Sequence, residues 1–318
     1  MRILSLVLVL STFAAGCIQK GDEFRDALPH SDDLTVRVPQ DGSSEAGAHA
    51  YALIGQRAVL YQATRDISRA INGGVYILLS VLEDIVSYPP ATVTADQATW
   101  GPHTPALSPL TWRMIVNKVG ESDYTFSLDA RPKNGDDTTW VAILSGDSHL
   151  VAGTRLSSGT LIAHCDEAHA LDEYEFRCTG QVTADWDVTG SPRTVVVAFR
   201  GWTDGGVFST PIDADYSYLE NDDLSGEFAF GASADLDDDG SLPESIVVTS
   251  RWDASGAGRG DASASSGDIP VAIGSVTVTE CWDSSFGRSF YTDSADLAPT
   301  EGDPAACVFA DAEVPEGE

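Results

Sequence analysis

The chain has 318 residues, 42% of them hydrophobic, and a formal charge of −31 at neutral pH. That much negative charge argues against nucleic acid or anionic headgroups as partners, because both would be repelled. The apolar share argues against wholesale disorder, and the length suits one large domain or two modest ones.

At the N-terminus, Arg2 supplies a positive charge, residues 3–10 form an almost unbroken apolar run, and small Ala14, Ala15 and Gly16 lead into Cys17. This is the layout of an export signal. The apolar run is too short to span a bilayer, which takes about 20 residues. The order Ala14-Ala15-Gly16-Cys17 resembles the lipobox of bacterial lipoproteins, with Ala14 where that family most often has leucine. The resemblance implies that residues 1–16 are removed and that Cys17 is diacylated, each buried methylene adding about 0.8 kcal/mol of membrane affinity. Enteric lipoproteins kept in the inner membrane favour aspartate after the cysteine; Ile18 therefore implies the outer membrane by the same resemblance. The alternative is an ordinary secreted protein with a cysteine there by chance.

Residues 18–48 are polar and rich in Asp, Gly, Ser and Pro, with one short apolar patch at Leu34, Val36 and Val38. We read residues 17–48 as the acylated cysteine and a flexible tether spanning roughly 30 Å. A single globular domain is expected over 49–318. Its first part, 50–87, reads as helical. Tyr51, Ile54, Ala58, Tyr61 and Ile71 recur near helical spacing, Asn72-Gly73-Gly74 interrupts, residues 75–86 are apolar nearly all round, and Pro89-Pro90 ends the pattern. Two helices, or one broken at the glycines, are expected, the second a core helix enclosed by sheet. A gate helix beside a lipid cavity is the functional alternative.

From about 95 to 310 the chain reads as strand and turn. Trp112, Met114 and Val116 alternate with polar residues, and Tyr124, Phe126 and Leu128 repeat the pattern after a short loop. About a dozen such strands occur, without strand–helix–strand alternation and without a repeat of fixed period. The expected fold is mainly β (α+β): a large curved antiparallel sheet or meander packed on an N-terminal helical segment. After Cys17 the cysteines are Cys165, Cys178, Cys281 and Cys307, an even number that in an exported chain reads as disulfides. Three pairings are possible; Cys165–Cys178 and Cys281–Cys307 close the short local loops and are favoured over a metal site, since no CxxC spacing is present.

Several segments together look like an uncharacterised group of myxobacterial-type lipoproteins: Asn72-Gly73-Gly74, Pro89-Pro90, Ala98-Thr99-Trp100-Gly101-Pro102, Leu110-Thr111-Trp112-Arg113, Ser250-Arg251-Trp252, Gly256-Ala257-Gly258-Arg259 and Glu280-Cys281-Trp282-Asp283. That resemblance implies an export address and a shared fold, and no activity. A looser likeness, of architecture alone, is to periplasmic lipoprotein carriers that wrap a sheet around helices.

Four motifs carry candidate chemistry. Asp235, Asp237 and Asp239 before Gly240, with Glu244 beyond, set carboxylates at the spacing that wraps calcium. The twelfth position of an EF-hand is Ile246 here, and the segment also resembles a single FG-GAP calcium loop; an acidic hairpin turn is the simpler reading. Gly146-Asp147-Ser148 and Asp166-Glu167-Ala168-His169 superficially resemble the GDSL esterases, although a turn fits Ser148 better. His164, Asp166, Glu167 and His169 could ligate a transition metal from one loop. The tryptophans suggest sugar stacking or, within strands, core packing. Together these point to a non-enzymatic envelope lipoprotein that binds a partner protein or an apolar ligand. A calcium-stabilised adhesion module is the alternative, and an envelope hydrolase the remote one.

Overall fold

The computed structural model describes residues 21–40, 54–206, 211–234, 242–267 and 269–312. Period-two alternation turns one side chain in two toward a common core, and the strands it produces are Thr92–Val93 (β1), Gln97–His103 (β2), Leu110–Lys118 (β3), Asp123–Pro132 (β4), Val141–Leu150 (β5), Ser157–His164 (β6), Thr179–Asp187 (β7), Arg193–Thr203 (β8), Ile212–Glu220 (β9), Gly226–Ala234 (β10), Glu244–Trp252 (β11), Gly258–Ser266 (β12), Ser275–Trp282 (β13), Arg288–Asp293 (β14) and Glu301–Gly302 (β15). Each pairs antiparallel with the next in chain order, giving one 15-stranded meander. Its edge strands, β1 and β15, are only two residues long, which leaves little free edge for another chain to extend. The helices are Asp22–Asp26 (α1), Val59–Ser87 (α2) and Cys165–Leu171 (α3).

Because the sheet is a meander, the turns after odd-numbered strands lie at one end and those after even-numbered strands at the other. Three of the odd turns share a device. Gly159, Gly226 and Gly258 stand opposite Trp186, Trp252 and Trp282 on the next strand. A Cβ on any of these glycines would run into the facing indole, so the ring can lie flat on bare backbone. Each indole N–H then donates into the preceding turn region, to Ser157 Oγ, Leu224 O and Gly256 O. The Asp that follows each tryptophan (Asp187, Asp253, Asp283) accepts backbone N–H groups within its own turn. Much of the chain's acidity is thus used locally as turn caps.

Residues 21–40 are not the flexible tether expected. Phe24, Ala27, Leu28, Leu34, Val36 and Val38 are buried in the same core as the sheet. The segment forms a strap that passes the odd turns in order. Lys118 at the end of β3 meets Glu23 at 2.9 Å, Ser148 Oγ donates to Ala27 O, and Arg155 meets His30. Arg193 then donates to the carbonyls of Asp32, Asp33 and Thr35. Further along, the Tyr218 hydroxyl accepts from Arg37 N and faces Glu220. The buried residues sit at helical spacing in α1 and at alternate positions beyond it, which is why this polar stretch packs at all.

Helix α2 runs the other way. Ala58 N donates to Phe286 O at the β13–β14 turn, and at the far end Tyr88 O accepts from Trp100 on β2 and from Arg25. The glycines do not break it. Gly73 and Gly74 face open space, and Asn72 clamps the strap by accepting from Val36 N and donating to Val36 O, both at 2.8 Å. The twelve-residue apolar segment is therefore part of a 29-residue helix. It is not enclosed. Tyr61, Leu79, Leu82 and Val86 face the core, while Tyr76, Val81 and Tyr88 are exposed.

Two further expectations change. The Asp166–His169 segment is helical, forming α3 rather than a loop, and Gly146-Asp147-Ser148 lies inside β5 rather than in a turn. Strand β12, Gly258–Ser266, carries no alternation of large apolar side chains to announce it, because Gly, Ser and Ala dominate it. Both disulfides pair as favoured, Cys165–Cys178 and Cys281–Cys307.

Candidate functional site

Cys17 lies outside the described residues, as do Asp235, Asp237 and Asp239. Glu244 is buried at the start of β11, paired across the ladders with Ala234 and Ser266, so the calcium reading rests on the sequence alone.

The hydrolase candidates separate. Ser148 is buried, and its hydroxyl is spent on Ala27 O, which removes it as a nucleophile. Among the described residues no three His, Cys, Asp or Glu side chains gather to hold a metal. Three of the four proposed loop ligands have other partners, and Glu167 is exposed on α3. His169 Nδ1 meets Phe176 O, Asp166 Oδ1 accepts from Gly180 N, and His164 Nε2 meets Ser145 Oγ at 2.8 Å. The Ser145–His164 contact joins neighbouring strands β5 and β6 and is a serine–histidine pair that sequence reading missed, since no motif surrounds it.

The tryptophans divide as packing predicts. Trp100, Trp186, Trp252 and Trp282 are buried, and Trp140 is stacked under two guanidinium groups, Arg113 at 4.2 Å and Arg131 at 4.6 Å. None of these indoles offers an open face for a sugar.

The cavity expected beside residues 75–86 is not an enclosed apolar one. Against α2 lies a groove of about 430 Å³ lined by Asp22, Arg25, Asp26, His30, Glu83 and Arg155 with Leu82 and Val86 at its base. Leu28 and Pro29 also line it, so charged and apolar side chains share its walls. A second groove, about 480 Å³, runs between the β9–β10 and β11–β12 turns under Phe309, which covers Arg251 at 4.5 Å. There burial pushes the Glu227 carboxyl up, opposed by the charge of Arg251.

The first groove is where the described chain begins. Gly21 abuts Pro90 and Val93, and Arg25 ties α1 to the C-terminal end of α2 through Val86 O and Tyr88 O, at 2.6 and 3.1 Å. Its hydrogen bond to Glu23 raises the pKa of the Lys118 ammonium, and burial raises that of Asp33 further along the strap. The described chain thus begins beside the last turn of α2 and the turns after β3 and β5. The signals that could have revealed this were the i, i+4 pair Phe24 and Leu28 and the alternation of Leu34, Val36 and Val38.

By length and composition α2 could itself cross a membrane. Its inner face, Tyr61, Leu79, Leu82 and Val86, packs on the core, and Leu60 N in its first turn donates to the buried Glu280 carboxylate of β13, so in this fold it packs as a surface helix. Compared with known proteins, the chain matches no family model, no curated protein and no solved structure.

Proposed function

We propose that this chain is an exported lipoprotein, acylated at Cys17 and held on the outer membrane, where its β domain has a non-enzymatic binding or structural role in the envelope. The observation that carries the reading is the pair of disulfides at Cys165–Cys178 and Cys281–Cys307 in a chain whose first residues have the form of an export signal; such bonds persist outside the cytosol. The likeness to uncharacterised myxobacterial-type lipoproteins points the same way. A binding role is favoured by the design of the sheet, which closes one end with the strap and α2; at the opposite end the β6–β7 connection is fixed by α3 and a disulfide, while exposed turns such as those at Leu107 and Val271 are free to differ. A protein partner fits these surfaces better than a wholly apolar ligand, given that Asp22, Arg25, Asp26, Glu83 and Arg155 line the groove beside α2.

The test is fractionation of the natural chain and of Cys17→Ala. The natural chain is expected in the membrane fraction and the variant in soluble or unprocessed form. Equal membrane association of both, at mature size, contradicts the reading.

A further inference from the structure

The exposed face of α2 has no partner among the described residues. Tyr76 is 64% exposed and Val81 44%, Tyr88 just past the helix end is 71% exposed, and only 12% of the helix's most apolar 18-residue window is buried. Between Ala70 and Leu82 this helix carries no charged residue; Asp66 and Arg69 bound the stretch on one side, Glu83 and Asp84 on the other. A helix of this length extends about 44 Å. The part of that uncharged stretch left bare is a patch of Ala70, Gly73, Gly74, Tyr76 and Val81, since Leu79 and Leu82 are buried; exposed apolar patches mark interaction surfaces.

What covers it follows from where the chain leaves the fold. Resting on the reading that Cys17 is acylated, the anchor is four residues before Gly21, a reach of at most about 14 Å. Gly21 abuts Pro90, and Arg25 holds α1 to Tyr88. The lipid therefore enters the bilayer within one short reach of the C-terminal end of α2, and not at the end of the 30 Å leash that the sequence suggested. The same end also presents exposed Val119 and Leu156 from the β3–β4 and β5–β6 turns.

We propose that α2 is an interfacial helix: its outward face at Tyr76 and Val81, with Tyr88 just past its end, lies along the bilayer that holds the acyl chains of Cys17, the exposed Glu83 and Asp84 reaching to the headgroup level. An amphipathic helix in this position buries its apolar face some 5–10 Å into the headgroup boundary, and a tyrosine suits that depth because its ring is apolar and its hydroxyl wet. The acidic chain has no electrostatic attraction to anionic lipid. The anchor supplies the proximity, so weak apolar contacts suffice once the domain is tethered. The domain then stands with its odd turns at the membrane. Strands of about nine residues carry the opposite loops roughly 30 Å away, so Leu107 and Val271, 99% and 98% exposed, point into the aqueous space.

The experiment uses the full mature chain, acylated and oxidised, in vesicles of phosphatidylethanolamine and phosphatidylcholine. Tyr76→Cys, Val81→Cys, Tyr88→Cys, Leu107→Cys and Val271→Cys are labelled one at a time with an environment-sensitive fluorophore, and quenching by nitroxide lipids is measured. Labels at 76, 81 and 88 are expected to be quenched at least about threefold more than those at 107 and 271, the contrast set by shallow insertion of one face. Equal quenching at all five sites, or quenching confined to 107 and 271, overturns the proposal while the acylated N-terminus stands. Unquenched but shielded labels at 76 and 81 in a dimeric species also overturn it, because a second copy then covers the face. A chain that lacks acyl groups at Cys17 and fails to float with vesicles overturns the lipoprotein reading, and this proposal with it; mass analysis of the N-terminus separates that case from the others.

Discussion

Replacing Glu280 with alanine tests the joint between α2 and the sheet. Glu280 is wholly buried. One carboxylate oxygen accepts from Arg288 Nε at 2.6 Å and the other from Leu60 N, in the first turn of α2, at 2.5 Å. Arg288 is itself buried, with Glu301 3.6 Å away. Glu280→Ala removes the nearer carboxylate from a buried guanidinium that keeps Glu301 and the Tyr291 ring, at a cost of up to about 3–5 kcal/mol, and orphans a helix N–H, which costs about 1–3 kcal/mol. The two overlap, and a loss of about 4 kcal/mol is expected, against a total stability of roughly 5–15 kcal/mol for a domain. Removing both charges, as Glu280→Leu with Arg288→Met, is expected to recover about half of that, since a well-packed apolar pair does as well as a buried ion pair. The assay is urea unfolding of the oxidised protein followed by tryptophan emission. A Glu280→Ala variant within about 1 kcal/mol of the natural chain, as for an exposed ion pair, would refute the reasoning, and so would a double variant weaker than the single one.

Other outcomes follow from the same geometry. Gly258→Ala puts a methyl group against Arg251 O and the Trp282 ring, so a loss of about 1–3 kcal/mol is expected in the same unfolding assay, whereas Gly74→Ala, facing open space, is expected to gain a few tenths to 1 kcal/mol of helix propensity. Two tyrosines of β9 are expected to respond oppositely to phenylalanine. Tyr216 has a buried hydroxyl without a hydrogen-bond partner, so Tyr216→Phe leaves the thermal midpoint unchanged or higher; Tyr218→Phe loses the contacts to Arg37 and Glu220 and lowers stability by about 2 kcal/mol. Hydrogen bonds hold the turn carboxylates below their usual 3.8: Asp223 and Asp136 through the hydroxyls and N–H groups of Ser225 and Thr138, and Asp293 through the N–H groups of Leu297, Ala298 and Ala295. The stability these turns lend is complete above that value and is lost as pH falls below it, which carboxyl NMR titration will show as pKa values under the ordinary aspartate figure.

Much of this fold could be read from residues. Trp112, Met114 and Val116, then Tyr124, Phe126 and Leu128, give β3 and β4 with their register, because only one alternation buries every large side chain. The local cysteine pairs were also legible, since each closes a short loop. Strand β12 was not, because Gly258–Ser266 is almost all small residues and its place is dictated by Trp282 lying on Gly258, a contact between strands. The shared Gly–Trp-Asp device escaped a search for a fixed period because turn lengths vary between copies. The strap was misread because a segment can be polar along its length and still bury alternate residues against a neighbour that propensity does not see. Asn72-Gly73-Gly74 looked like a break, yet Asn72 faces the strap and the glycines face outward, so the helix continues. The candidate site was the least legible part. Its character lies in which side of α2 is bare and in how near Gly21 sits to Tyr88, and both are tertiary facts.

The most direct measurement of the central claim is mass spectrometry of a tryptic digest of protein purified from membranes. Lys20 is a cleavage site, so the account predicts a peptide running from Cys17 to Lys20 that carries a diacylglyceryl group on the cysteine. A mature chain that begins elsewhere, or the same peptide with a free thiol, would contradict it.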